Sequence, residues 1–222
     1  MRRGVIFDLD GTLVDSDYLH VVAWWEGFRR AGRDVQMVDV HGAVGRADRA
    51  LLDYLVPDAT DQEIQTISDT HAERYQARLG EVRAVPGAGE LLRTVAARGL
   101  EVIIATSAPK DQAERLIAIT GAEDAVSVLV HAGDVERSKP DPEPVRQALE
   151  KSGLRPQDAL LVGDSVWDCV AARAAKVGCV AVRSGGIDTA SLTDAGAMAV
   201  YKDCQDLLSH LDDSPIGRLV QN

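Results

Sequence analysis

The sequence predicts an α/β protein: a Rossmann-like parallel sheet flanked by helices, with an all-helical segment inserted after the first strand. Three observations predict it. Short β-branched runs that are almost wholly apolar recur along the chain. Helical patterns separate most of them, and one long stretch, from about Ser16 to Ala84, carries helical patterns only. A strand covered on both faces has no polar side, which is why these runs do not alternate. Regular alternation of strand and helix calls in turn for parallel pairing with right-handed crossovers.

Taken in order, residues 4–7 (Gly-Val-Ile-Phe) form the first strand, ending abruptly at Asp8-Leu-Asp10-Gly11-Thr12. Further strands are expected at 101–105, 126–130, 159–162, 179–182 and 197–200, with helices at 88–98, 109–120, 142–152 and 166–176. Within the insertion, Tyr18, Val21, Val22, Trp25 and Phe28 recur at helical spacing, Gly32 is a stop, and Asp61 precedes a second helix running to about Leu79. The expected division is a core of residues 1–15 and 86–222 and a helical domain of residues 16–85, joined by linkers at 14–17 and 80–86. Ligands of such a sheet bind at the carboxyl ends of its strands.

At 222 residues and 45% hydrophobic content the chain can bury a large domain plus a smaller one. Lys and Arg number 24 against 35 Asp and Glu, a formal charge of −11. That balance repels phosphodiester backbones and anionic lipid, so neither nucleic acid nor a membrane surface is an expected partner. No run of 18 apolar residues occurs, and the apolar stretch after Met1-Arg2-Arg3 is broken by Asp8 and Asp10, unlike a secretory pattern. Cys169, Cys179 and Cys204 show no CxxC spacing, so reduced, buried thiols, a cytoplasmic location and no zinc site are expected. The expected state is a monomer or a weak homodimer.

Four features fall on strand ends: Asp8-Leu-Asp10-Gly11-Thr12, Thr106-Ser107, Lys139-Pro140, and Gly163-Asp164 with Asp168 four residues on. Asp8 and Asp10, two residues apart in a turn, face one small volume, and Asp164 joined to them repels both unless a cation sits between. Oxygen-only ligands suit Mg²⁺. A carboxylate attacks phosphorus once the phosphoryl charge is neutralised, and a second carboxylate nearby can protonate the leaving oxygen and then activate water. A hydroxyl and an ammonium complete a phosphate shell.

These segments, Phe7-Asp8-Leu9-Asp10-Gly11-Thr12, Thr106, Lys139-Pro140 and Gly163-Asp164-Ser165-Val166-Trp167-Asp168, resemble the four ordered motifs of the haloacid dehalogenase superfamily. The match spans the whole chain and includes a helical cap after the first motif. The resemblance implies Asp8 as nucleophile, Asp10 as general acid and base, and Thr106 and Lys139 as phosphate binders. It also implies Asp164 as a Mg²⁺ ligand beside Asp8 and the Asp10 carbonyl, with Asp168 supporting that shell.

Several residues carry two readings. Asp168 also completes an S-x-x-D capping box with Ser165 for the helix that follows. Thr106 is either a phosphate ligand or the last strand residue; Ser107 is either a second hydroxyl at the substrate or a cap for the helix near Pro109. In the cap, His20 and Trp24 lie off the Tyr18/Val22/Trp25 stripe, facing the cleft or packed inside. Arg46, in a Gly-flanked turn, is either a reader of the substrate's second anion or a solvated arginine. Asp10 favours phosphoryl transfer to or from oxygen, since dehalogenases of the superfamily lack that acid. The leading expectation is a phosphatase acting on a small phosphorylated metabolite, with a β-phosphoglucomutase-like enzyme second. Gly163 stands where that mutase carries another acid. A phospho-receiver module is disfavoured, because both Asp8 and Asp10 follow the first strand.

Overall fold

A computed structural model describes residues 2–221. The chain divides into two compact units, one formed by Ser16–Val82 and the other by the segments on either side.

In chain order the first unit opens with β1 (Gly4–Phe7) and β2 (Val14–Asp15). The second unit holds α1 (Asp17–Arg30), α2 (Met37–Ala43), α3 (Asp48–Leu55) and α4 (Asp61–Arg78). The first unit resumes with β3 (Arg83–Ala84), α5 (Ala88–Ala97), β4 (Glu101–Ala105), α6 (Lys110–Ile119) and β5 (Val128–Val130). It continues through α7 (Glu143–Ser152), β6 (Ala159–Gly163), α8 (Val166–Ala174) and β7 (Gly178–Val182). It ends with α9 (Thr189–Ala195), β8 (Ala197–Tyr201), α10 (Cys204–Ser209) and α11 (Pro215–Gln221).

Six strands make one parallel sheet in the order β5-β4-β1-β6-β7-β8. The first strand in sequence is thus flanked by β4 and β6, and the carboxyl ends of these three strands are neighbours. Ile6, Ile103 and Leu161 occupy these strands, fully buried in one core with Val145 and Ala148 of α7 and Ala171 and Ala172 of α8. Full burial of each Ile, Leu or Val side chain among them stabilises by about 1.5–3 kcal/mol. The three cysteines are free and buried. Among the described residues no helix is long and apolar enough to cross a membrane.

The structure corrects the sequence reading in two places. The expected linkers are not wholly irregular: β2 and β3 pair antiparallel, Val14 with Ala84 and Asp15 with Arg83, so a strand falls inside the stretch read as strand-free. Two-residue strands far apart in sequence carry no local period to detect. In α1 the buried face also differs. Val21, Trp24, Gly27 and Phe28 point inward, whereas Tyr18 is 55% exposed. The reason is the approach of α4: a Cβ at Gly27 would lie 2.7 Å from the Ile67 carbonyl oxygen, so the helices meet along the face that contains Gly27. Trp24 accordingly packs in the core of this unit with Phe28, Leu52 and Ile67, and does not face a cleft as one reading had it. Trp25 is half-buried, with the Arg29 guanidinium 4.9 Å from its ring centroid.

Candidate active site

Asp8 follows β1 directly, its amide donating to the Val162 carbonyl at 2.9 Å. The chain then turns sharply: Gly11, at φ +73°, donates to the Val14 carbonyl at 2.8 Å. Glycine adopts this left-handed conformation without the steric cost of a Cβ. Asp10 lies in the same turn, half-buried. Thr106 follows β4 with its amide on the Val130 carbonyl, Asp164 follows β6, and Lys139 lies in the loop between β5 and α7. The sheet thereby brings four separate segments to one edge.

Asp8, Thr106, Lys139, Asp164 and Asp168 are all buried. The Lys139 Nζ donates to Asp8 Oδ1 and forms an ion pair with Asp168 Oδ1 at 2.8 Å. Asp168 makes the capping box that one of its sequence readings expects. Its Oδ2 accepts from the Ser165 amide at 3.1 Å and the Ser165 hydroxyl at 2.6 Å, completing the capping box of α8, while Oδ1 faces Lys139. One oxygen from each of Asp8, Asp164 and Asp168 lies within 4.8 Å of the other two.

Sequence reasoning passed over Thr12. Its buried hydroxyl donates to Asp164 Oδ1 at 2.6 Å, and the Cys204 thiol donates to the Thr12 carbonyl at 3.3 Å. The only available signal was a hydroxyl residue two positions beyond the Asp8/Asp10 pair. Thr106 Oγ1 accepts from the Ala108 amide at 3.0 Å, shaping the turn in which half-buried Ser107 sits.

Burial pushes the Asp8 carboxyl up to about 8, with Asp168 and Asp10 adding to the rise and Lys139 opposing it. Burial alone would lower the Lys139 ammonium, but Asp168 and Asp8 outweigh it and hold the lysine protonated. Burial likewise raises the Cys204 thiol, to about 12. Three buried carboxylates, each with an oxygen within 4.8 Å of the other two and two of them on the Lys139 ammonium, form an acidic pocket that a divalent cation would suit. Hard oxygen donors and no nitrogen or sulfur ligand make the set fit Mg²⁺.

The cap candidates lie in Ser16–Val82. His20 Nδ1 is 3.0 Å from His71 Nε2, and its ring stacks on Tyr75 at 3.8 Å between centroids. Trp24 stacks on His71 at 3.8 Å. The Arg46 guanidinium lies 4.3 Å from the Tyr54 ring centroid, and burial lowers its pKa.

An acid cluster of this kind, at the carboxyl edge of a parallel sheet with a lysine among its members, marks an α/β enzyme built to handle phosphoryl groups. The comparisons agree. A family model described as haloacid dehalogenase-like hydrolase matches residues 5–182. Phosphoglycolate phosphatase of Rhodospirillum rubrum is 33% identical over 214 residues, 91% of this chain and 88% of that protein. Validoxylamine A 7'-phosphate phosphatase of Streptomyces hygroscopicus subsp. limoneus is 31% identical over 181 residues, 81% of this chain and 85% of that one. A solved hydrolase from Pseudomonas syringae superposes with a TM-score of 0.90 at 37% identity, covering 96% of this chain and 99% of that chain. The chain belongs to the haloacid dehalogenase-like hydrolases and is an enzyme of their phosphatase kind.

Proposed function

We propose that this protein is a Mg²⁺-dependent phosphatase that hydrolyses a small phosphorylated metabolite through an aspartyl-phosphate on Asp8. The observation that carries the reading is the buried group of Asp8, Asp164 and Asp168, whose oxygens lie within 4.8 Å of one another, with Lys139 on Asp8 and Asp168. Asp8, Asp164 and the Asp10 carbonyl would hold the ion, with Asp168 fixing Lys139 beside it. When bound, Mg²⁺ supplies charge neutralisation of the phosphoryl oxygens.

Lys139 and Thr106, with Ser107 beside it, bind the remaining phosphoryl oxygens, and Lys139 keeps the Asp8 carboxylate from rotating. Asp8 forms a bond to phosphorus as the ester P–O bond breaks, and Asp10 gives its proton to the departing alkoxide. Asp10 then takes a proton from water, whose oxygen bonds phosphorus as the bond to Asp8 breaks and phosphate leaves. Arg46 and His20 select the organic part of the substrate, and their helical unit, Ser16–Val82, serves as the cap.

Water is favoured over a sugar hydroxyl as the acceptor by Gly163. A Cβ there would lie 2.4 Å from Asp168 Cγ, so no acidic side chain can stand before Asp164 while Asp168 keeps its place. We further read the enzyme as a cytoplasmic monomer or weak homodimer with no nucleic-acid partner, in keeping with its charge of −11 and its unbridged thiols.

The test is Mg²⁺-dependent phosphate release over a panel of phosphorylated metabolites, comparing wild type with Asp8→Asn. Turnover is expected to fall by about 10⁴-fold or more in the variant with its fold retained. Near-normal release by Asp8→Asn would remove the nucleophile assignment.

A further inference from the structure

We propose that Thr12, steadied by Cys204, is the positioning residue that orients Asp164 toward the divalent cation. The inference rests on the metal reading above and deepens it. Asp8 and Asp168 share the Lys139 ammonium, so their charge is partly met within the protein. Asp164 accepts a hydrogen bond on its Oδ1 from the neutral hydroxyl of Thr12, at 2.6 Å.

A neutral donor fixes the direction of a carboxylate without cancelling its charge. A cation in the same place would hold the carboxylate equally well but compete with the metal for it. Outer partners of this kind orient metal-ligating carboxylates, and losing one typically lowers metal affinity about 10–100-fold.

Thr12 is itself held from two directions. The turn at Gly11 sets its backbone, closed by the amides of Leu13 and Val14 on the Leu9 carbonyl at 2.8 and 3.1 Å. From α10 the Cys204 thiol donates to its carbonyl at 3.3 Å, and both residues are fully buried. Cys204 lies beyond residues 5–182, the part matched by the family model, so this support comes from the chain's own C-terminal segment. A buried thiol is a weak donor, and its share is the smaller one.

Mg²⁺ binding to the substrate-free protein, measured calorimetrically, tests the proposal with Thr12→Val, Thr12→Ser and Cys204→Ala. Valine keeps the volume and removes the donor. We expect Thr12→Val to weaken Mg²⁺ about 10-fold or more, with the Mg²⁺ dependence of phosphate release shifted by the same factor and kcat largely recovered at saturating Mg²⁺. Thr12→Ser restores the hydroxyl and is expected within about 2-fold of wild type, whereas Cys204→Ala loses about 2- to 3-fold. A merely structural role would lower the unfolding temperature and leave the affinity unchanged. Wild-type Mg²⁺ affinity in folded Thr12→Val overturns the proposal. Should that variant fail to fold, wild-type affinity in Cys204→Ala overturns it instead. Absence of Mg²⁺ binding by wild-type protein overturns the metal reading together with this one, whereas phosphate release with unchanged affinity in Thr12→Val overturns the positioning role alone.

Discussion

Two groups of carboxylates, one in each unit, meet opposite electrostatic fates. In the helical unit Glu63 receives Arg33 in a two-pronged contact, Nε to Oε1 and Nη2 to Oε2, each at 2.9 Å. It also accepts from the Thr60 amide at 2.8 Å, and Arg33 reaches Asp58 at 2.9 Å. Arg33, followed by Thr60, draws the Glu63 carboxyl down to about 2. In the sheet unit burial drives Asp8 up to about 8 in spite of Lys139. In the surface group each carboxylate meets the Arg33 guanidinium. The buried group gathers three carboxylates within 4.8 Å of one another, two of them sharing one ammonium. Crowding like charges out of water costs folding free energy, and a ligand of opposite charge can relieve it.

The sharpest way to break this contrast is to remove Lys139. Its side chain pairs with both Asp8 and Asp168, and it is 3% exposed. Lys139→Ala is expected to abolish measurable turnover and to cost about 3–5 kcal/mol of stability in metal-free protein near neutral pH. Urea unfolding reads the loss. Adding Mg²⁺ is expected to recover part of it, since an ion held as proposed would meet the same carboxylates. A loss below about 1 kcal/mol, the scale of an exposed pair, would place the buried group on the same footing as the Arg33 group.

How far the sequence showed this depends on the range over which each feature is encoded. Strands β1, β4 and β6 were legible because burial on both faces leaves an uninterrupted apolar run. The meeting of Asp8, Lys139 and Asp164 followed from the carboxyl ends of neighbouring strands, a consequence of topology. Thr12 was not legible as a partner of Asp164, 152 positions away, because nothing local distinguishes it from a turn residue. Cys204 was hidden for the same reason. The buried face of α1 was misread because Trp24 and Trp25 are adjacent and equally apolar. What decides between them is the Gly27–Ile67 approach, a property of α4 and not of α1. Asp168 was legible as a cap, since the box is local, but the ion pair of its other oxygen depends on a lysine 29 positions away.

A subtler change tests how tightly the buried group is built. Gly163 has no room for a methyl group: its Cβ would meet Asp168 Cγ at 2.4 Å, Cβ at 2.5 Å and Oδ2 at 2.7 Å. Asp168 is pinned on both oxygens and cannot yield without releasing Lys139 or the α8 cap. Gly163→Ala is expected to cost about 1–3 kcal/mol, in the range of overpacked cores, and to lower kcat, since Lys139 loses its support. Thermal unfolding together with steady-state kinetics checks both. A variant with unchanged stability and kcat would mean that Asp168 moves freely and that the acidic group is softer than its contacts imply.

The smallest expected effect lies at the surface group and concerns pH. Glu63 has a folded pKa of about 2, below its ordinary value of 4.5. Between these values the unfolded chain binds more protons than the folded one, so stability rises with pH there. The contribution of Glu63 is therefore fully present above about 4.5 and is lost progressively as pH falls toward 2. Glu63→Gln keeps a side chain able to accept from Thr60 but removes the charge that answers Arg33. Its unfolding temperature should lie below that of wild type at pH 6, with the gap closing as pH approaches 2. Because the group is solvent-accessible, salt should narrow the gap at pH 6 as well. Equal displacement of the two curves at every pH would show that the contribution of Glu63 is steric, through the cap of α4 alone, and that charge pairing with Arg33 adds nothing to it.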